Sequence, residues 1–268
     1  MPWGGRIEGS GVDHEPMTVL VTGASAGFGE AIARRFVADG HRVVATARRV
    51  DRLQRLADDL GEQLLPIGLD VRDRDAIERS IADLPEDFAA IDVLVNNAGL
   101  ALGLEPAHEA DLDQWEQMID TNCRGLVTCT RAVVPGMVER GRGLVVNLGS
   151  VAGTYPYPGG NVYGATKAFV HQFSVNLRSD LHGTGVRVTC IEPGMARTEF
   201  SLVRLDGDQD RAEQVYDGMQ PLTADDIAES VAGVAAQPAH VNVNTVELMP
   251  VTQSFGPFPV HRTSWNRD

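Results

Sequence analysis

The sequence predicts an α/β protein: a single domain built on a doubly wound parallel sheet of about seven strands, with helices on both faces. Three observations predict it. Short β-branched runs alternate with amphipathic stretches from Met17 onward. Several of those runs are apolar throughout rather than alternating, which is the pattern of a sheet covered on both sides. The first run ends in a glycine-rich turn that opens a helical pattern.

In chain order, strands are expected at Thr18 to Thr22, Arg42 to Ala47, Leu64 to Leu69, Asp92 to Asn96, Gly143 to Leu148, Val186 to Ile191 and Thr245 to Leu248. Helical spacing of apolar residues marks Glu30 to Asp39, Asp51 to Leu60, Arg74 to Leu84, Asp113 to Glu139 and Val162 to His182. Residues 1–16 are glycine-rich, mixed in charge and without a hydrophobic period, so they are expected to be a disordered extension; the domain proper spans 17–268, and Met17 makes a sensible first residue. The stretch from Leu202 to Gly218 is rich in Asp, Gln and Gly and has no strong apolar period, so a mobile lid is expected near 198–220.

Composition narrows the function classes. The chain has 268 residues and is 43% hydrophobic, enough for one full α/β core. A formal charge of -14 argues against a nucleic acid or an anionic membrane as partner, because both are met with basic patches. The three cysteines, Cys123, Cys129 and Cys190, form no CxxC pair and suggest neither disulfides nor zinc; no metal centre is expected. With no apolar run of membrane-spanning length and no signal-peptide pattern, a cytoplasmic protein is expected.

In a doubly wound sheet, ligands bind at the carboxyl ends of the strands. The first strand ends in Gly23-Ala24-Ser25-Ala26-Gly27-Phe28-Gly29, a GxxxGxG spacing. Such a turn lets backbone N–H groups and a helix N-terminus meet a pyrophosphate, although a glycine cluster alone is equally compatible with a sharp βα turn. The second strand ends in Arg48 and Arg49, where NAD selectivity needs an acidic residue for the ribose 2′-hydroxyl. Two guanidinium groups suit a 2′-phosphate instead and favour NADP; the other reading is a solvated basic pair opening a helix. Tyr163 stands four residues ahead of Lys167, on one face of a helix, where an ammonium stabilises a phenolate and tunes the phenol for acid/base work. That spacing also occurs by chance on many helices.

Together with Asn96-Asn97-Ala98-Gly99, Asn122, Ser150 and Pro193-Gly194, these motifs fall in the order of the short-chain dehydrogenase/reductase family, and the chain resembles that family from Met17 onward. Longer stretches, among them Leu100 to His108, Gly160 to Phe169, Asp180 to Thr184 and Met249 to Ser254, are similar to the bacterial NADP-dependent 3-hydroxy acid dehydrogenases, the group that includes malonic semialdehyde reductase and L-allo-threonine dehydrogenase. The resemblance implies a Rossmann-like fold, NADP as cofactor, and Asn122, Ser150, Tyr163 and Lys167 as catalytic residues. In it Tyr163 exchanges the proton, Lys167 lowers its pKa and binds the nicotinamide ribose, Ser150 orients the substrate oxygen, and Asn122 holds a water of a proton relay.

The cofactor contacts implied are Gly23, Ala24, Ser25, Ala26, Gly27, Phe28 and Gly29 in the turn, Arg48 and Arg49, Asp70 and Val71 against the adenine, and Asn97, Ala98 and Gly99. Tyr163, Lys167, Pro193, Gly194, Met195 and Thr198 complete that set. A small 3-hydroxy acid needs a cation for its carboxylate. Arg204 is the first candidate and Arg197 a weaker one, with Asn161, Tyr157 and Gln253 as lesser contacts; Arg204 pairing with Asp206 or Asp208 on an exposed lid is the plain alternative. The family's subunit interface would use the Asp113 to Glu139 and Tyr163 helices, giving a homotetramer or a homodimer, with Gln253 to Val260 packed across a contact. Two other functions fit the same fold: a carbonyl or sugar-alcohol reductase of broader range, and a non-catalytic NADP-binding regulator.

Overall fold

Seven strands form one parallel sheet in a computed structural model that describes residues 16–205 and 207–256. They are β1 (Thr18–Thr22), β2 (Arg42–Ala47), β3 (Leu64–Gly68), β4 (Ile91–Asn96), β5 (Gly143–Leu148), β6 (Val186–Pro193) and β7 (Thr245–Leu248). Their order across the sheet is β3-β2-β1-β4-β5-β6-β7, so the winding reverses between β1 and β4. All seven expected strands are present within one or two residues of the expected ends. The expected extension before Pro16, and the run beyond Gly256, lie outside the described residues.

The crossovers are helical: α1 (Gly27–Ala38), α2 (Val50–Leu60), α3 (Arg74–Ala82), the short α4 (Glu86–Ala89), α5 (Leu112–Ile119), α6 (Leu126–Glu139), α7 (Asn161–Asp180), α8 (Glu199–Arg204), α9 (Gln209–Gln214) and α10 (Ala224–Ala235). The pattern from Asp113 to Glu139 is therefore two α-helices joined by a π-helical segment at Asp120–Gly125, and Asn122 sits in that widened turn. The segment expected as a mobile lid near 198–220 carries two short helices, α8 and α9. Helix α10 was not expected from periodicity; its apolar face is made mostly of alanine and valine, a weak signal without the partner helix α1 on which it packs.

Period-two alternation gives the sheet its two apolar faces. On one, Val19 and Val21 of β1 join Val43 and Ala45 of β2, Val93 and Val95 of β4, and Ile32 and Phe36 of α1. On the other, Leu20, Val44, Leu94 and Val145 meet Val133 and Met137 of α6. Pro66 is tolerated because β3 is an edge strand, where a missing N–H removes no central ladder bond. Glu192, buried in β6, is partnered by the His171 ring at 2.6 Å. Cys129 and Cys190 are buried free thiols and Cys123 is half-buried and free. None of the described helices is long and apolar enough to cross a membrane.

Candidate active site

The reversal of strand order leaves a crevice at the carboxyl ends of β1 and β4, and here the chain forms a cleft of about 810 Å3. Thr22 stitches its floor. The Thr22 hydroxyl accepts N–H groups from Asn97 and Ala98, both at 3.0 Å, while the Asn97 amide donates to the carbonyls of Thr22 and Gly23 at 2.8 and 3.2 Å. The turn after β1 is thereby clamped to the end of β4. Gly23 has φ +72, and a Cβ there would lie 2.9 Å from the Ala98 backbone; one at Gly29 would lie 2.5 Å from the Gly23 carbonyl. These two positions need glycine for different reasons, backbone conformation at the first and close approach at the second.

Of the turn residues, Gly23, Ser25, Ala26, Gly27 and Phe28 line the cleft; Ala24 and Gly29 do not. Ala24 is fully buried beneath the turn with its N–H on the Thr46 carbonyl, so Ala24 and Gly29 shape the loop rather than touch what it holds. Helix α1 begins at Gly27 after Ala26, with no side chain capping its first turn, so its N–H groups are left for an anion. Arg48 and Arg49 border the same end of the cleft. Arg49 donates to the Ser25 hydroxyl at 3.1 Å, and Arg48 has no ion-pair partner among the described residues. Asp70 and Val71 line the wall, and the Asp70 carboxylate is held by Arg72 at 2.6 Å, which keeps it below the usual carboxylate range.

At the other end, Ser150, Tyr163 and Lys167 come together with Asn122 behind them. Tyr163 is 7% exposed and Lys167 equally so. Burial pushes the Tyr163 phenol up to about 12, while a hydrogen bond from Ser150 and the charge of Arg204 act in the opposite direction. The expectation that Lys167 lowers the phenol pKa is not met in this arrangement: its Nζ lies 5.8 Å from the ring centroid and donates to the Leu148 carbonyl at 2.7 Å. Lys167 is itself lowered to about 8, chiefly by burial.

The Asn122 side chain braces the site. Its Oδ1 accepts the Leu100 N–H at 2.9 Å, and its Nδ2 donates to the Leu100 carbonyl at 2.9 Å and the Thr166 hydroxyl at 3.0 Å. A Cβ at Gly99 would lie 3.3 Å from Asn122 Oδ1 and 3.5 Å from Lys167 Nζ, so both groups pack close to the Gly99 backbone. The lowered Lys167 pKa has a consequence for stability. Between about pH 8 and the ordinary lysine value of 10.5, the unfolded chain holds a proton that the folded site has released. This group therefore makes stability rise with pH across that window. Melting curves at the two ends of the window should show the native protein gaining on the K167M variant as pH rises; a constant gap contradicts the assignment.

Helix α8 completes the site. Arg204, on α8, spans the cleft and donates to the carbonyls of Gly103 at 3.3 Å and Gly159 at 3.4 Å. Its guanidinium lies 5.3 Å from the Tyr157 ring and 5.6 Å from the Tyr163 ring. It makes no pair with Asp208, and Asp206 lies outside the described residues. Phe200 packs on Tyr163 at 5.5 Å, and the Tyr157 hydroxyl is buried without a hydrogen-bond partner. Pro193, Gly194, Met195 and Thr198 line the adjoining wall, where Gln253 accepts the Met195 N–H at 2.7 Å and so braces the wall.

Two expected substrate contacts point elsewhere. Asn161 is outside the cleft lining, its amide spent on the Glu105 carbonyl at 3.2 Å and its oxygen on the Val162 N–H at 2.7 Å. Arg197 pairs with Glu213 at 3.3 Å and lies over the Tyr216 ring. Glu199 is among the cleft residues that were not anticipated: its carboxylate meets Arg49 and Arg52, a contact across about 150 residues that no local pattern encodes.

A glycine turn at the β1–β4 switch point, with Ser, Tyr and Lys converging at the far end of the same cleft, defines a dinucleotide-dependent oxidoreductase of the short-chain type. The chain belongs to the short chain dehydrogenase family, which it matches over residues 17–207. It is 64% identical over 248 residues to the NADP-dependent 3-hydroxy acid dehydrogenase YdfG of Salmonella typhi, covering 92% of this chain and all of the relative. It is 55% identical over 247 residues to the serine 3-dehydrogenase of Agrobacterium fabrum, covering 92% of this chain and 99% of that one. Among solved structures, the closed form of serine dehydrogenase complexed with NADP+ superposes with a TM-score of 0.91 at 61% identity, covering 92% of this chain and all of the other.

Proposed function

We propose that this chain is an NADP-dependent oxidoreductase that interconverts 3-hydroxy acids of the 3-hydroxypropionate, serine and allo-threonine type with their 3-oxo forms, malonic semialdehyde among them. The observation that carries the substrate class is Arg204, a cation set 5.6 Å from the Tyr163 ring inside the cleft, at the range where it meets a carboxylate while the 3-oxygen faces Tyr163. The names of the relatives above agree with that class. Neutral carbonyl compounds would leave this guanidinium without an anion, which disfavours the broader reductase reading.

The cofactor reading rests on the uncapped start of α1, the glycine turn lining the cleft, and Arg48 beside Arg49 at the same end. Bound NADP supplies the hydride. The chain's residues would do the rest: Ser25 to Phe28 would hold the pyrophosphate, and Arg48 and Arg49 the 2′-phosphate. Ser150 orients the substrate oxygen. Tyr163, protonated at neutral pH in the present environment, donates a proton to that oxygen during reduction. Lys167, with a pKa of about 8, is matched to returning a proton to the phenolate, with Asn122 holding the relay water that the family resemblance implies. Asn122 also positions Lys167, because its amide bonds Thr166, the residue next to it.

Replacing both arginines, as R48A/R49A, is expected to raise KM for NADP by about 10- to 100-fold, the loss of one to two charge-assisted contacts, while KM for NAD changes little. Steady-state NADPH absorbance measurements check this. Equal effects on the two cofactors assign the pair to the solvated surface.

The assembly we infer is a homotetramer. Leu112 and Ile119 on α5, Val138 on α6, and Phe169 and Val175 on α7 are exposed apolar side chains. They lie on the helices that the family resemblance assigns to the subunit interface, and burying them in a second copy is favourable. Light scattering coupled to gel filtration measures the mass directly.

A further inference from the structure

Behind the wall that carries Ser150, three side chains of metal-ligating type converge. His171 of α7 and Cys190 and Glu192 of β6 bring a ring nitrogen, a sulfur and a carboxylate oxygen within 4.8 Å of one another. Cys190 and Glu192 are two residues apart on one strand and so share a face, the face on which Val170 of α7 packs. One carboxylate oxygen, Glu192 Oε1, receives both neighbours: His171 Nδ1 lies 2.6 Å from it, and Cys190 Sγ donates to it across 3.6 Å. Cysteine spacing alone suggests no zinc site here, because the set is assembled across two elements.

A histidine bonded to a buried glutamate is a common structural pair on its own. The third group, a sulfur aimed at the same oxygen, makes the set a ligand triad. In a tetrahedral zinc-type site, metal bonds of about 2.0–2.3 Å put neighbouring ligand atoms about 3.3–3.6 Å apart. The Cys190–Glu192 separation of 3.6 Å already matches such an edge. The imidazole has to shift by about 1 Å to complete the triangle. It has room to do so, because the His171 side chain is 40% exposed while that of Glu192 is 5% exposed. His171 is thus both the movable ligand and the approach from solvent. Glu247, the register partner of Glu192 on β7, adds a second carboxylate on that side of the sheet, which favours a cation further.

We propose that His171, Cys190 and Glu192 form a binding site for one thiophilic divalent cation of the zinc and cadmium type, with a fourth position left for water. On binding, the Cys190 thiol releases its proton to solvent and a sulfur–metal bond forms. His171 coordinates through Nδ1 as its neutral Nε2–H tautomer, and Glu192 through its ionised carboxylate. The thiolate and the carboxylate together balance the two charges of the cation. Burial pushes the free thiol up to about 12, so the cation has to displace a firmly held proton. A Cβ at Gly149 would lie 2.8 Å from Cys190 Sγ, and Gly149 leads directly into Ser150. The site therefore backs onto the catalytic wall without being part of the cleft.

Cadmium is the probe, because a cadmium–thiolate bond absorbs in the ultraviolet and reports sulfur ligation alone. Titration of the intact protein with Cd2+ should raise that band and saturate at one ion per chain. C190A should abolish it. H171A changes a partly exposed side chain and spares the sheet, so it should keep the band and weaken affinity at least about tenfold. C123A should behave as the native protein, which separates the half-buried Cys123 thiol from the site. Thermal melts establish that each variant is folded.

Absence of the band in the native protein, its persistence in C190A, or unchanged affinity in H171A each overturns the site. His171 is then only the partner of a buried glutamate.

Discussion

Tyr163→Phe should lose nearly all turnover while binding NADP as the native protein does. Removing one hydroxyl deletes the group that the proposed reaction uses to donate a proton to the substrate oxygen. General acid catalysis is worth about 100- to 10,000-fold, so kcat is expected to fall by that factor. The fold should be unaffected, because the ring packs against Phe200, Leu100 and Met118 and keeps those contacts. Fluorescence titration with NADPH separates chemistry from binding. The phenol's raised pKa of about 12 follows from burial, which a bound ligand with a dipole near the hydroxyl will change. A variant that retains near-native turnover removes Tyr163 from the reaction.

The second large effect belongs to Arg204. Arg204→Ala should lower kcat/KM for a 3-hydroxy acid by about 30- to 100-fold, corresponding to a charge-assisted contact of about 2–3 kcal/mol. Its carbonyl contacts with Gly103 and Gly159 are lost as well, so the lid itself is loosened. A neutral alcohol of similar size reports that structural part alone, and its kcat/KM should fall much less. Arg204→Lys, which keeps the charge without the planar fork, should recover part of the loss for the acid. Equal losses for acid and alcohol in Arg204→Ala would leave the residue a lid brace.

Both expectations started from different qualities of sequence signal. The strands were legible because β-branched runs buried on both faces need no partner to declare themselves; Val43-Val44-Ala45 reads as a central strand wherever it is met. The glycine turn, Ser150 and the Tyr163–Lys167 pair were legible because each motif follows a strand end or lies on one helix face, so local spacing determines their direction. Helix α10 escaped because its small-residue face has meaning only against α1. Asn161 was misassigned for a related reason: it adjoins the motif, yet it is the first residue of α7 and its amide is turned onto the Glu105 carbonyl.

Long-range ion pairs are the least legible class. Nothing near Glu199 in sequence announces Arg49 or Arg52, which lie about 150 residues away. The Lys167 contact with Leu148 belongs here too: helical spacing puts Lys167 on the Tyr163 face, but the carbonyl that captures its ammonium comes from β5. Periodicity describes what one element does to itself; the site is made where elements meet.

One cleft joins the proposed NADP preference to a carboxylate-bearing substrate. Initial rates with 3-hydroxypropionate, L-serine, L-allo-threonine and a neutral alcohol of matched size, each with NADP and with NAD, test it most directly. The account predicts that kcat/KM is highest for a 3-hydroxy acid with NADP and falls at least about tenfold when either the carboxylate or the 2′-phosphate is removed. Equal kcat/KM for the alcohol and the acids, or for NAD and NADP, would contradict it.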